Sequence, residues 1–145
     1  MIADRDINLH KFKEFINAAA SFFEPQVQGI GISLNAYAEK LAQKGTIAYF
    51  EEDGTILGAV IGYTHDTPDN TSYITQVYVL PECRGRGLSK VLLEEYCLYC
   101  LTSGLDHVWL TTRKNNFTAQ KAYEKAGFIC IGECSEQMIK YIKYL

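Results

Sequence analysis

Arg84, Gly85, Arg86, Gly87, Leu88, Ser89 and Lys90 follow a run of β-forming residues and lead into an apolar helical pattern. A strand feeding a tight basic turn that opens a helix makes an anion site. The N–H groups of the first helical turn lack intrahelical partners, and the positive end of the helix dipole points to the same place. Gly85 and Gly87 let the backbone approach an anion closely, and the small Ser89 leaves room for phosphate oxygens. Two common phosphate motifs do not fit. G-x-G-x-x-G needs glycine where Lys90 stands, and a Walker A loop needs a G-K-[ST] that Leu88-Ser89-Lys90 does not supply. On this segment alone, a solvated basic turn ahead of an ordinary helix remains open.

Other residue types with chemical potential read more plainly. Cys97 and Cys100 form a C-x-x-C inside a helical apolar stretch, with no second C-x-x-C and no H-x-x-x-H to complete a zinc site, so they read as structural thiols and no metal is expected. His65 lies in a polar loop and reads as a solvated side chain. Lys40, Lys44, Lys140 and Lys143 fall on faces expected to be exposed. Tyr49, Tyr63 and Tyr73 sit on strands, where aromatic residues usually pack. By residue type Tyr123 packs beneath its helix, and Asn116 is a strong N-cap for the same helix.

The elements that position these residues follow from periodicity and punctuation. Leu9, Phe12, Phe15, Ile16, Ala19 and Phe23 recur at helical spacing after the cap candidate Asn8, and a loop holding Pro25, Gly29 and Gly31 is expected from Glu24 to Ile32. A second helix is expected from Ser33 to about Lys44. Thr46–Glu51 and Ile56–Tyr63 read as strands joined by a hairpin, with Asp53-Gly54 supplying the positive φ angles of the turn. Ser72–Leu80 is a strand ended by Pro81. A helix from about Gly87 to Ser103 is expected to show Leu88, Val91, Leu92 and Tyr99 on one face. A strand at His107–Thr112, a helix at Phe117–Lys125, and strands at Phe128–Glu133 and Gln137–Leu145 complete a mixed α/β domain.

A chain of 145 residues with no repeat and no linker is read as one domain, 1–145. Its net charge of −3 lacks the basic excess of a general polyanion binder, so no nucleic-acid partner is expected. Asp4, Arg5 and Asp6 stand where a secretory leader would be apolar, and no run approaches the roughly 18 apolar residues of a membrane span. With five cysteines, an odd number, the expectation is reduced thiols and a cytoplasmic location, with no membrane partner.

Taken together, Val77-Tyr78-Val79-Leu80-Pro81, the Arg84, Gly87 and Ser89 spacing, and Asn116-Phe117-Thr118-Ala119-Gln120-Lys121-Ala122-Tyr123-Glu124-Lys125-Ala126-Gly127-Phe128 resemble the GNAT superfamily of N-acetyltransferases. The first motif is [RQ]-x-x-G-x-[GA], with Ser89 in place of the last glycine or alanine. The second is N-x-x-A-x-x-x-Y-x-K-x-G-F. The likeness covers roughly Thr46 to Leu145, and the family's first strand looks shortened or absent here.

The resemblance implies a central mixed, mostly antiparallel sheet splayed at its fourth strand, with helices on both faces. It implies direct transfer of an acetyl group from acetyl-CoA to a primary amine in a ternary complex. Val77, Tyr78 and Val79 would hold the pantetheine arm and the thioester oxygen. Arg84, Gly85, Arg86, Gly87, Leu88, Ser89 and Lys90 would hold the pyrophosphate, Asn116 would contact the arm, and Tyr123 would be the general acid. Many relatives carry a glutamate base where Gln76 stands. Glu51, His65, Asp66, Glu133 and an ordered water relay are therefore the alternatives, and no base is assigned. A non-catalytic acyl-CoA-binding module is the rival reading, and a homodimer is left open.

Overall fold

The computed structural model describes residues 1–145. Strands β1 (Ile2–Asp4), β2 (Thr46–Glu52), β3 (Thr55–Tyr63), β4 (Thr71–Val79), β5 (His107–Arg113), β6 (Ile129–Glu133) and β7 (Met138–Tyr144) form one sheet in the order β1-β2-β3-β4-β5-β7-β6. Every neighbouring pair is antiparallel except β4 and β5, which run parallel. Helices α1 (Leu9–Ala18), α2 (Ala20–Gln28) and α3 (Leu34–Lys44) cover one face, and α4 (Leu88–Thr102) and α5 (Phe117–Lys125) cover the other. The expected α/β architecture with helices on both faces is the one observed.

Local chemistry accounts for most of the boundaries. Asn8 Oδ1 accepts from the Lys11 amide at 3.0 Å to start α1, and Ser33 Oγ accepts from the Ala36 amide at 3.1 Å to start α3. The β2–β3 turn has positive φ at both Asp53 and Gly54, as a tight hairpin requires. Strand β1 is short but present. Asp4 at its end accepts hydrogen bonds from Tyr99 Oη (2.5 Å), His65 Nε2 (2.8 Å) and Thr46 Oγ1 (3.2 Å). Burial alone would raise the Asp4 pKa, but these bonds and the charge of His65 outweigh it and hold the carboxyl below its ordinary value.

The structure departs from the sequence expectations in three places. The first helix stops at Ala18, and a second helix, α2, starts at Ala20 and runs on through Gln28 into the expected loop, with Pro25 inside it. A proline within a helix costs about 3 kcal/mol. Burying Phe23 and Val27 against α1 and α3 contributes about 1.5–3 kcal/mol each, enough to offset that cost. Second, α4 buries Leu92, Leu93, Tyr96, Cys97 and Cys100, whereas Val91 is 55% exposed and Tyr99 reaches Asp4 at the rim. The helix is apolar on nearly every side, so its inward face is chosen by the sheet beneath it. Third, Lys143 is partly buried, its Nζ donating to the Ala126 carbonyl at 2.7 Å.

Gly62 shows how tightly α4 sits on the sheet. A Cβ at this position would lie 2.2 Å from Tyr96 Oη and 2.6 Å from the Tyr73 carbonyl oxygen. Tyr96 is fully buried, and its hydroxyl pairs with Ser72 Oγ at 2.7 Å, so it has no free direction in which to yield. Gly62→Ala is expected to destabilise the fold by roughly 1–3 kcal/mol, the usual range for overpacking. Urea unfolding measures this directly, and a midpoint equal to wild type would show that Tyr96 can move.

Candidate active site

Strands β4 and β5 pair only at Thr71–His107, Ser72–Val108 and Tyr73–Trp109. Beyond that point β4 continues on β3, and β5 continues on β7. Thr75 is the extra residue of a bulge in β4, opposite the step from Ile61 to Gly62. The separation leaves a cleft of about 510 Å³ beside the freed edge of β4, lined from both faces of the sheet.

One wall of the cleft is β4 itself, at Val77, Tyr78 and Val79. Leu80 donates its N–H to the Leu57 carbonyl on β3 at 2.9 Å. Strand alternation therefore turns the N–H groups of Val77 and Val79 the other way, toward the gap. The Val79 carbonyl, on that same edge, accepts from Arg84 Nε at 3.0 Å. The Arg84 guanidinium also lies over the Tyr78 ring at 5.2 Å, and Phe22 of α2 stacks on the same ring at 4.4 Å between centroids. Phe22 carried no sequence signal, because it fell within the expected first helix but outside the apolar spacing that ends at Phe23.

The end of the cleft is the start of α4. Helices α1, α3 and α5 each have a side-chain N-cap, but α4, the longest helix, begins at Gly87 with no side-chain cap. Its first N–H groups are left for an outside acceptor. Gly85 (φ +83) and Gly87 (φ +73) hold the turn, and a Cβ on either would point into open space within the cleft region. An uncapped helix start with bare glycine backbone fits the pyrophosphate of a coenzyme A ester. Leu88 and Ser89 line the cleft as well. Arg86 and Lys90 do not: Arg86 pairs with Glu52 at 3.1 Å and lies over Phe50, and Lys90 approaches Glu94 at 3.8 Å. Of the basic residues in this turn, only Arg84 faces the cleft.

The other wall is α5. Thr118, Ala119, Ala122 and Tyr123 lie on one helical face toward the gap. The three besides Tyr123 were legible only as helix, although Ala119 is a fixed position of the second motif. Asn116 lines the cleft and also caps α5, its Oδ1 accepting from the Ala119 amide at 3.2 Å. Tyr123 is 9% exposed and packs on Phe128 and Tyr141. Every fully enclosed side-chain polar atom of the protein is hydrogen bonded, and Tyr123 Oη has no partner, so it opens on the cleft. Burial pushes its pKa up to about 12.

No carboxylate or imidazole reaches this cleft. Glu51 pairs with Lys11, His65 with Asp4 and Glu133 with Lys114, and Asp66 lies in an exposed turn. Gln76 is buried on the α1–α3 face, where its Nε2 donates to Tyr37 Oη at 3.2 Å and to Gln26 Oε1. Cys97 and Cys100 sit in the core under α4, and no cluster of three or more His, Cys, Asp or Glu is placed to hold a metal.

Comparison with known proteins gives this geometry a context. The profile of the Acetyltransferase (GNAT) family matches residues 13–128. Mycothiol acetyltransferase of Gordonia bronchialis is 27% identical over 123 residues, covering 78% of this chain but only 38% of the relative. Among solved structures, PaiA N-acetyltransferase of Thermoplasma acidophilum, in complex with coenzyme A, superposes over 100% of this chain and 99% of its own (TM-score 0.72, 16% identity). The ribosomal-protein-S18-alanine N-acetyltransferase of Escherichia coli covers 78% of this chain and 77% of its own (TM-score 0.63, 18% identity). At those identities the structural likeness establishes the fold. No helix of the chain is long and apolar enough to cross a membrane.

Proposed function

The chain belongs to the GNAT acetyltransferase family, and from that premise we propose that it moves an acetyl group from acetyl-CoA to a primary amine by direct attack in a ternary complex. One observation carries the reading: the uncapped start of α4 and the unpartnered Tyr123 hydroxyl face a single cleft, at the point where β4 leaves β5. The complexes of relatives with coenzyme A support the same donor.

In this reading the pyrophosphate rests on the N–H groups of Gly87, Leu88 and Ser89. The pantetheine arm runs along Val77 to Val79 past Asn116, and the thioester oxygen takes a β4 N–H as its donor. The neutral amine attacks the thioester carbon and forms the C–N bond, while the carbonyl oxygen becomes an oxyanion. Collapse breaks the C–S bond and leaves the electron pair on sulfur, toward which Tyr123 Oη–H donates. The phenol, with its pKa pushed to about 12, is roughly three units less acidic than a typical thiol. Any phenolate formed is therefore reprotonated at once by the proton the new amide nitrogen must lose. The products are the acetylated amine and the free thiol.

This assignment sets the pH profile. The reactive amine is the deprotonated form, so kcat/KM is expected to rise with pH up to the acceptor's own pKa. Tyr123 acts in its protonated form, which persists up to about pH 12. No alkaline fall is therefore expected below about pH 10. A descending limb centred near pH 8 would remove Tyr123 as the donor.

The lack of a carboxylate in the cleft favours a second reading, a module that binds acyl-CoA without turning it over. Calorimetry with acetyl-CoA, followed by thiol release across a panel of primary amines, separates the two. Binding with thiol release supports the enzyme, binding without it supports the module, and no heat at millimolar acetyl-CoA overturns both.

A further inference from the structure

The cleft is lined from both faces of the sheet, and this fixes the side from which an acceptor arrives. Tyr123 lies on the α4–α5 face of the gap, whereas Phe22 and Tyr78 lie on the α1–α3 face. With the donor arm along α4 and α5, an amine reaches the thioester from the α1–α3 side. Those three helices do not cover that whole face. No residue of the core beneath them comes from β5, β6 or β7, so an open strip of sheet adjoins the mouth of the gap.

Register sets what stands on the strip. Tyr63 pairs with Tyr73, and Tyr73 pairs with Trp109, which places three aromatic side chains in a row. The Tyr73 ring stacks on Trp109 at 4.3 Å between centroids. Lys140, on β7 opposite Thr111, holds its Nζ 4.2 Å from the centroid of the Trp109 ring. Thr111 lies two residues past the last β4–β5 pair, so Lys140 is level with the gap. Where the three strands pair, β4 and β7 are two strand steps apart, about 10 Å, and the distance grows from there as β4 leaves β5.

Lys140 is one of three basic side chains near the site without a carboxylate partner; Arg84 is tied to the Val79 carbonyl at the donor end, and Arg113, farther along β5, donates to Gln137. Lys11, Arg86, Lys90 and Lys114 each have a carboxylate partner; Lys140 has none and is held by the indole alone. Alternation and register put Tyr73, Trp109, Thr111 and Lys140 on the strip, with Tyr63 and the buried Gln76 at its margin under the helices, and no acidic residue is among them. The result is a positioned ammonium group without a counter-ion, on a neutral aromatic surface. A polycationic acceptor would be repelled by Lys140 and find no carboxylate to offset it, whereas a carboxylate would gain a charge-assisted bond to a cation whose position the indole already fixes.

Building on the acetyl-transfer reading, we propose that the acceptor is a primary amine that also carries a carboxylate, of the amino-acid type. Its carboxylate lies on Lys140 and its amine points through the gap toward the thioester. A charge-assisted hydrogen bond of this kind corresponds to about a ten- to hundredfold preference.

The test uses matched acceptors, L-phenylalanine, L-leucine and L-glutamate, each beside its carboxamide, together with spermidine. Thiol release from acetyl-CoA is followed for the wild type, Lys140→Ala and Lys140→Glu. Trp109 is the only tryptophan in the chain, so its fluorescence in CoA-saturated protein reports occupancy of the strip independently of turnover. The wild type is expected to prefer at least one acid over its carboxamide by tenfold or more in kcat/KM. Lys140→Ala should bring that ratio near one, and Lys140→Glu should invert it. Equal use of acid and carboxamide, spermidine as the best acceptor, or a ratio untouched in Lys140→Ala would overturn the proposal. So would protein that binds acetyl-CoA yet shows neither thiol release nor a Trp109 response with any acid. Failure to bind acetyl-CoA at all would instead strike the acetyl-transfer reading beneath it.

Discussion

Tyr123→Phe is expected to lower kcat roughly a hundredfold while acetyl-CoA affinity stays within about twofold, the low end of what a positioned proton donor contributes. The substitution removes one oxygen and leaves the ring, so the packing on Phe128 and Tyr141 is retained. The hydroxyl has no partner within the protein, so its loss strands no other group and stability should hold or rise slightly. In the wild type the hydroxyl meets the sulfur only as the C–S bond breaks, so its removal should fall on turnover and not on ground-state binding. Steady-state thiol release and calorimetry on the same preparation measure both quantities. A variant with wild-type kcat would return Tyr123 to a packing role.

Ser89→Asp is expected to move binding and stability in opposite directions. Ser89 is the second residue of α4, and the uncapped N–H groups and positive dipole end of the helix surround it. An added carboxylate there favours the free protein by about 0.3–1 kcal/mol, as acidic residues in a first helical turn generally do. The same carboxylate stands where the pyrophosphate must bind. At about 4 Å and an effective dielectric near 20, repulsion from one unit charge is about 4 kcal/mol. Acetyl-CoA affinity should therefore fall a hundredfold or more while the melting temperature stays level or rises. Ser89→Ala separates the effects, since it removes the hydroxyl without adding charge and should weaken binding far less. Undiminished affinity in Ser89→Asp, read by calorimetry, would place the pyrophosphate elsewhere.

The two segments that identify the family were legible because each is local. Val77 to Ser89 is a strand, a turn and a helix start within a few residues, and Asn116 to Phe128 is one capped helix and its exit. In both, residue type fixes backbone geometry without help from distant parts: glycine at positive φ, a cap at Asn116, proline after a strand. Strands β2 to β7 and the hairpin at Asp53-Gly54 were readable for the same reason, whereas the three-residue β1 was too short to leave a pattern. Helix α2 was not, because Pro25 gives the correct local signal for a loop, and only burial of Phe23 and Val27 against other helices overrides it.

The sequence by itself determined the architecture, the glycine turn that starts α4 and the helix that carries Tyr123, since short-range sterics and hydrogen bonding dictate these. Tertiary structure decided which of the basic residues in the turn serve the cleft. Arg84 is drawn inward by the Val79 carbonyl and the Tyr78 ring, while Glu52 and Glu94 hold Arg86 and Lys90 outside. It also decided that no candidate base reaches the cleft, and that Lys140, which looked like an ordinary exposed lysine, stands unpaired on Trp109 beside the gap. These outcomes depend on which strand lies beside which, and hence on contacts between residues far apart in the chain. Local spacing carries no record of such contacts.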